Sequence, residues 1–119
     1  MYGRTNGGEM KILKLLIDLE GLNLSDNDKK MSAIEISTKV IQNVISTYSN
    51  QVKGLSKSER NQYYTIKALF EKAVKDSLVE IDIEDNDIGF IRKCFRESRL
   101  NPNDLLKRVE DNVDSIKDR

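Results

Sequence analysis

The chain has 119 residues, sets 20 basic against 20 acidic side chains, and contains no histidine, no tryptophan and one cysteine. Without histidine there is no Ser-His-Asp or Cys-His mechanism and no ordinary general base near neutral pH, and one cysteine cannot complete a tetrahedral zinc site. Zero formal charge gives no global field to draw in nucleic acid or an anionic membrane, and no apolar run approaches the roughly 20 residues that span a bilayer.

The length fits one domain, expected over residues 10–119. Residues 1–9 (MYGRTNGGE) have no periodicity and read as a disordered leader, either vector-derived or upstream of a second start at Met10. The next stretch, MKILKLLIDLEGLNL, supports two readings. A helix would group Ile12, Leu13, Leu16 and Ile17, whereas Ile17 and Leu19 alternate with Asp18 and Glu20 before a turn at Gly21. The favoured expectation is a helical first half followed by a short strand and turn.

After the polar loop SDNDKK, Ser32 and Glu35 have capping-box spacing, and Ile34, Val40, Ile41, Val44, Ile45 and Tyr48 follow helical spacing. Gly54 marks the break after this helix. Ser56 and Glu59 repeat the box and open a helix predicted to reach about Asp76, with Tyr63, Ile66, Phe70, Ala73 and Val74 as its buried stripe. In LVEIDIE the period changes to two: Val79, Ile81 and Ile83 alternate with Glu80, Asp82 and Glu84, which predicts a half-buried strand. Such a strand needs a partner, either Ile17 to Leu19 or a second chain. Asp85 is the expected N-cap of a helix carrying Ile88, Ile91, Cys94 and Phe95. Asn101 and Pro102 predict another helix start, and Leu106, Val109, Val113 and Ile116 then form a short 3-4-3 seam. The expected fold is mainly α within the α+β class: four to five helices in a bundle-like domain with a minor two-stranded element.

The acidic run Asp82, Glu84, Asp85 and Asp87 fails as a calcium loop, because Asp87 stands where glycine is needed and Lys93 where a bidentate acid is needed. It reads instead as a solvated strand face leading into a helix N-terminus, where the macrodipole favours acids. The same carboxylates lack an aromatic subsite for sugar chemistry. Arg92, Arg96 and Arg99, with Lys93 beside them, share one helix face in sequence and could hold phosphates, or else form an exposed face paired with the abundant acids. Tyr63 and Tyr64 are adjacent, so one must face outward. Tyr64, near Arg60 and Lys67, is the candidate interface aromatic, against the alternative of a tyrosine covering the edge of the core. Cys94 lies in an apolar stripe and reads as a buried small hydrophobe, and the lack of a partner for it fits a reducing compartment.

With these elements in order, the chain resembles a class of small uncharacterised bacteriophage and prophage proteins. The residues that carry the likeness are Ile17-Asp18-Leu19-Glu20-Gly21, against an L-x-D-L-x-G pattern, and Val79-Glu80-Ile81 through Asp85 and Asp87, against V-E-L-x-x-x-D running into a helix. The likeness spans about Met10 to Ile116. The Arg stripe and a longer C-terminal helix depart from the pattern. The resemblance implies a phage or mobile-element origin and a bacterial cytoplasm, and it brings no catalytic residue.

Three functions are carried forward. The first is a non-enzymatic protein, with no cofactor and no metal, that binds and modulates or inhibits a host bacterial protein in defence, transcription or replication. The second is a nucleotide or nucleic-acid binder through Arg92, Lys93, Arg96 and Arg99. The third is a structural or assembly protein forming a homo-oligomer through the Leu106, Val109, Val113 and Ile116 seam. None calls for a membrane.

Overall fold

The computed structural model describes residues 9–22, 24–26, 31 and 33–118. Among them the chain forms β1 (Met10–Lys14), α1 (Ala33–Gln51), α2 (Lys57–Asp76), β2 (Glu80–Glu84), α3 (Asp85–Glu97), α4 (Asp104–Asp114) and the two-residue β3 (Lys117–Asp118). This is the expected class, a helix-dominated α+β domain with a small antiparallel sheet. The two-stranded element is β1 with β2, and β3 adds a short pairing on the other side of β1, giving the order β2-β1-β3.

The strand partner is Met10–Lys14, not Ile17 to Leu19, and the helical first half is corrected. In register, Leu13 lies opposite Ile81 and Lys14 opposite Glu80. Pairing continues past the strand end, where the Leu15 amide donates to the Val79 carbonyl at 2.8 Å. Burial alternates strictly here: Leu13, Leu15 and Ile17 are buried, while Lys14, Leu16 and Asp18 are exposed. The apolar Leu16 stands on the solvent side, 60% exposed. It disguises a two-residue period as a helical one, since Ile12, Leu13, Leu16 and Ile17 also fit a helix face. Ile17 and Leu19 lie beyond the ladder, and Leu19 opens a turn closed by Leu22 N–H to Leu19 C=O, with Gly21 at φ +78°. The sheet is one-sided: Leu13, Ile81 and Ile83 enter the core, and Lys14, Glu80 and Asp82 face out. Val79 falls outside the strand and is 50% exposed, a departure from the predicted alternation.

The Ser32 cap lies outside the described residues. Of the predicted α1 stripe, Ile34, Ile41, Val44, Ile45 and Tyr48 are buried, and Val40 is half-buried. Ile36, Ser37 and Thr38 are buried as well, so α1 is covered on a wider arc than its spacing suggests. The chain leaves α1 through Lys53 (φ 60°) and Gly54 (φ 115°), the left-handed conformations that end a helix.

Helix α2 opens on the expected capping box. Ser56 Oγ accepts from the Glu59 amide, and Glu59 Oε1 accepts from the Ser56 amide, both at 3.1 Å. Ile66, Phe70 and Ala73 are buried, Tyr63 is half-buried and Val74 is largely outside, so the stripe is narrower at its C-terminal end than predicted.

Two caps are corrected. Glu84, not Asp85, is the N-cap of α3, and it makes no side-chain cap bond. The Asp85 amide is taken by the Glu9 carbonyl at 2.8 Å, so β2 runs directly into the helix and no side chain is needed to receive that donor. The N-cap of α4 is Asn103, whose Oδ1 accepts from Leu106 N–H at 2.8 Å, and Pro102 precedes the cap instead of following one at Asn101. Val109 and Val113 sit fully buried in the same core as Ile88, Ile91 and Cys94.

Candidate functional site

The four basic residues of the predicted phosphate stripe start from one stretch of chain and are drawn to different places. Arg92 turns to the C-terminal end of α4. One terminal guanidinium nitrogen donates to the Val113 carbonyl at 3.2 Å and to that of Asp114 at 3.5 Å, and its buried Nε lies 3.9 Å from the Asp114 carboxylate. The Val113 carbonyl also accepts from the Ile116 amide at 3.3 Å, just beyond the helix, and a cation there meets the negative end of the helix dipole. Lys93 turns the other way, to Glu59 Oε2 at 3.2 Å, with its ammonium 5.5 Å from the centre of the Tyr48 ring. Arg96 stays exposed, 3.5 Å from Glu97. Arg99 lies beyond the Ser98 C-cap of α3, and its amide donates to Gln51 Oε1, while Gln51 Nε2 donates to the Glu97 carbonyl at 2.9 Å. The sequence spacing is real, but Arg92 and Lys93 tie helices together and Arg99 leaves the helix.

Glu59 joins three elements through one side chain. It completes the α2 cap and it holds Lys93 on α3, which itself packs on Tyr48 of α1. The Ser56 amide, first, and Lys93 hold its carboxyl below the usual carboxylate value, and burial works the other way. Hydrogen bonding with Tyr48, then with Glu59, raises the Lys93 ammonium above its ordinary value, which keeps it charged and poorly suited to nucleophilic work. Cys94 is fully buried, and burial pushes its thiol up to about 12. A thiol so placed is neither deprotonated nor reachable at neutral pH.

The acidic run is also dispersed. Asp82 faces outward from the sheet, Asp85 pairs with Lys11 at 3.8 Å, and Asp87 is 7% exposed in the first turn of α3. Among the described residues, no group of three or more acidic or cysteine side chains is placed to hold a metal ion.

The seam proposed for self-association is corrected. Val109 and Val113 are fully buried in the chain's own core, Leu106 is half-buried, and Ile116 is half-buried beyond the end of α4. The 3-4-3 spacing belongs to the inward face of an amphipathic helix packed on this same chain.

Tyr64 is placed differently. It is 62% exposed, and among the described residues it is the one exposed aromatic. Its ring is tilted 45° to that of half-buried Tyr63, with centroids 5.9 Å apart. Both rings line an open groove of about 290 Å³, whose other walls are Ile45, Ser46 and Ser49 of α1, Gly54 and Leu55 of the connecting turn, and Arg60 of α2. Adjacent tyrosines flanked by Arg60 and Lys67 mark the outward face of α2 in the sequence. The far wall depends on how α1 packs against α2, and no local spacing reveals it.

No helix among the described residues is long and apolar enough to cross a membrane. Compared with known protein families, with curated proteins and with solved structures, the chain finds no match, so its fold and this groove are what characterise it.

Proposed function

We propose that the chain is a non-enzymatic interaction protein of phage or prophage type that docks onto a bacterial host protein in the cytoplasm and modulates or inhibits it, with Tyr64 at the centre of the docking face. The observation that carries the docking face is the exposure of Tyr64 beside a groove with apolar walls. A large amphipathic ring held on a rigid helix next to a recess is the usual form of an interface anchor. The host setting rests on the resemblance of Ile17–Gly21 and Val79–Asp87 to phage and prophage proteins. The dispersal of Arg92, Lys93, Arg96 and Arg99 favours this reading over phosphate binding.

The test passes bacterial lysate over immobilised wild-type chain and over Tyr64→Ala. A host protein retained by the first and lost from the second, with unchanged circular dichroism, is the expected result. Recovery of the same abundant background on both surfaces sinks the proposal.

A further inference from the structure

We infer that the surface around Tyr64 accepts an acidic segment of its protein partner, one apolar side chain of which seats in the groove. The inference rests on the docking role proposed above and adds the chemistry of what docks.

Within the groove Ile45, Leu55 and the two tyrosines supply apolar walls, and the only charged residue lining it is Arg60. Arg60, Tyr64 and Lys67 stand at i, i+4 and i+7, so they share one face of α2. Lys53 immediately precedes groove residue Gly54. Arg60, Lys67 and Lys53 are exposed, and none has an ion-pair partner among the described residues. Of the acids near them on α2, Glu59 is bound to the Ser56 amide and to Lys93, and exposed Glu71, four residues past Lys67, forms no ion pair with it. The net charge of the chain is zero, yet Lys53, Arg60 and Lys67 outnumber Glu71 and leave a positive excess around an apolar recess. Complementarity of that kind selects a partner by charge and holds it by an anchor.

Other occupants fit less well. A second copy meeting this face about a two-fold axis would bring the same cations against each other. Single-stranded nucleic acid needs a track of phosphate contacts and successive stacking rings, whereas Tyr63 is half-buried and tilted to Tyr64.

The test pans a library of short random peptides on the full chain and, in parallel, on Tyr64→Ala. The consensus peptide is then measured by fluorescence anisotropy, beside an oligo-thymidylate probe. The expected consensus has Asp and Glu flanking a Leu, Ile, Phe or Tyr. Its affinity should fall about tenfold or more in Tyr64→Ala and in the Arg60→Glu, Lys67→Glu double variant, and should weaken with salt. Enrichment of basic or uncharged peptides, no enrichment over Tyr64→Ala, affinity indifferent to the charge reversals, or oligo-thymidylate binding with the same residue dependence each overturns the inference. The lysate experiment repeated with the double variant separates the two claims. Host-protein retention that needs Tyr64 but ignores the reversals removes the acidic segment and leaves the docking role standing. Retention indifferent to Tyr64 removes the docking role.

Discussion

Replacing Glu59 tests how one side chain can hold three helices. Glu59→Ala removes the arm that reaches the Ser56 amide at 3.1 Å and the ion pair with Lys93 at 3.2 Å, and it leaves Tyr48 facing an ammonium without its counter-charge. Losing the hydrogen bond to the Ser56 amide costs about 1 kcal/mol, and a partly exposed ion pair adds roughly 0.5 kcal/mol, since the Lys93 side chain is 39% exposed. The expected loss is therefore about 1.5 kcal/mol, or roughly 5 °C in Tm for a chain of this length. Glu59→Gln keeps an oxygen for the Ser56 amide and loses only the charge, so it should cost about a third as much. The pH dependence has a fixed sign. The folded carboxyl titrates below its unfolded value of 4.5, so the stability it contributes is fully present above 4.5 and is lost as pH falls through the folded value. The gap between wild type and Glu59→Gln should be constant near neutrality and close below pH 4.5. Urea unfolding by circular dichroism across that range measures it. A gap that stays open at low pH, or equal losses for the Ala and Gln variants, would refute the division of roles.

Arg92→Ala should cost about 1–2 kcal/mol in urea unfolding, because it removes the guanidinium bonds to the Val113 and Asp114 carbonyls at the end of α4, while Arg96→Ala should stay within about 0.5 kcal/mol; equal effects would mean that the Arg92 contacts carry no stability. Phe70→Ala, at a site 1% exposed, should lose about 3–5 kcal/mol by thermal or urea unfolding, and a loss under about 1 kcal/mol would contradict its place in the core. Cys94 should react with an aromatic disulfide reagent only as fast as the chain opens, and prompt stoichiometric labelling of the native protein would contradict its burial.

Local signals in the sequence proved readable where their partners were also local. The Ser56 and Glu59 box needs only residues three positions apart, and both of its bonds form as the spacing implies. Ile34, Ile41, Val44, Ile45 and Tyr48 of α1 and the end of α2 follow from local signals, whereas the burial of Ile36, Ser37 and Thr38 does not. Tyr64 is legible as an outward aromatic because Tyr63 beside it takes the inward side. The failures share a different cause. Leu16 is apolar yet solvent-facing, so β1 resembled a helix, and the preference was reversed by Ile81 and Ile83 far along the chain. Arg92 and Lys93 looked like neighbours on a phosphate face until α4 and α2 supplied their partners. Each miss is a tertiary contact overriding a valid local pattern.

The place of β1 between β2 and β3 also orders events in time. α1 and α2 are joined by a short turn and can meet soon after they form, whereas Leu13 finds Ile81 only after most of the chain has been gathered in. Closing so large a loop carries an entropic cost that local helices do not bear. The amides of β1 should therefore be among the last to gain protection from exchange during refolding. Until they do, both outer strands lack the neighbour that completes them, so β1 is expected to act as the clasp that closes the sheet.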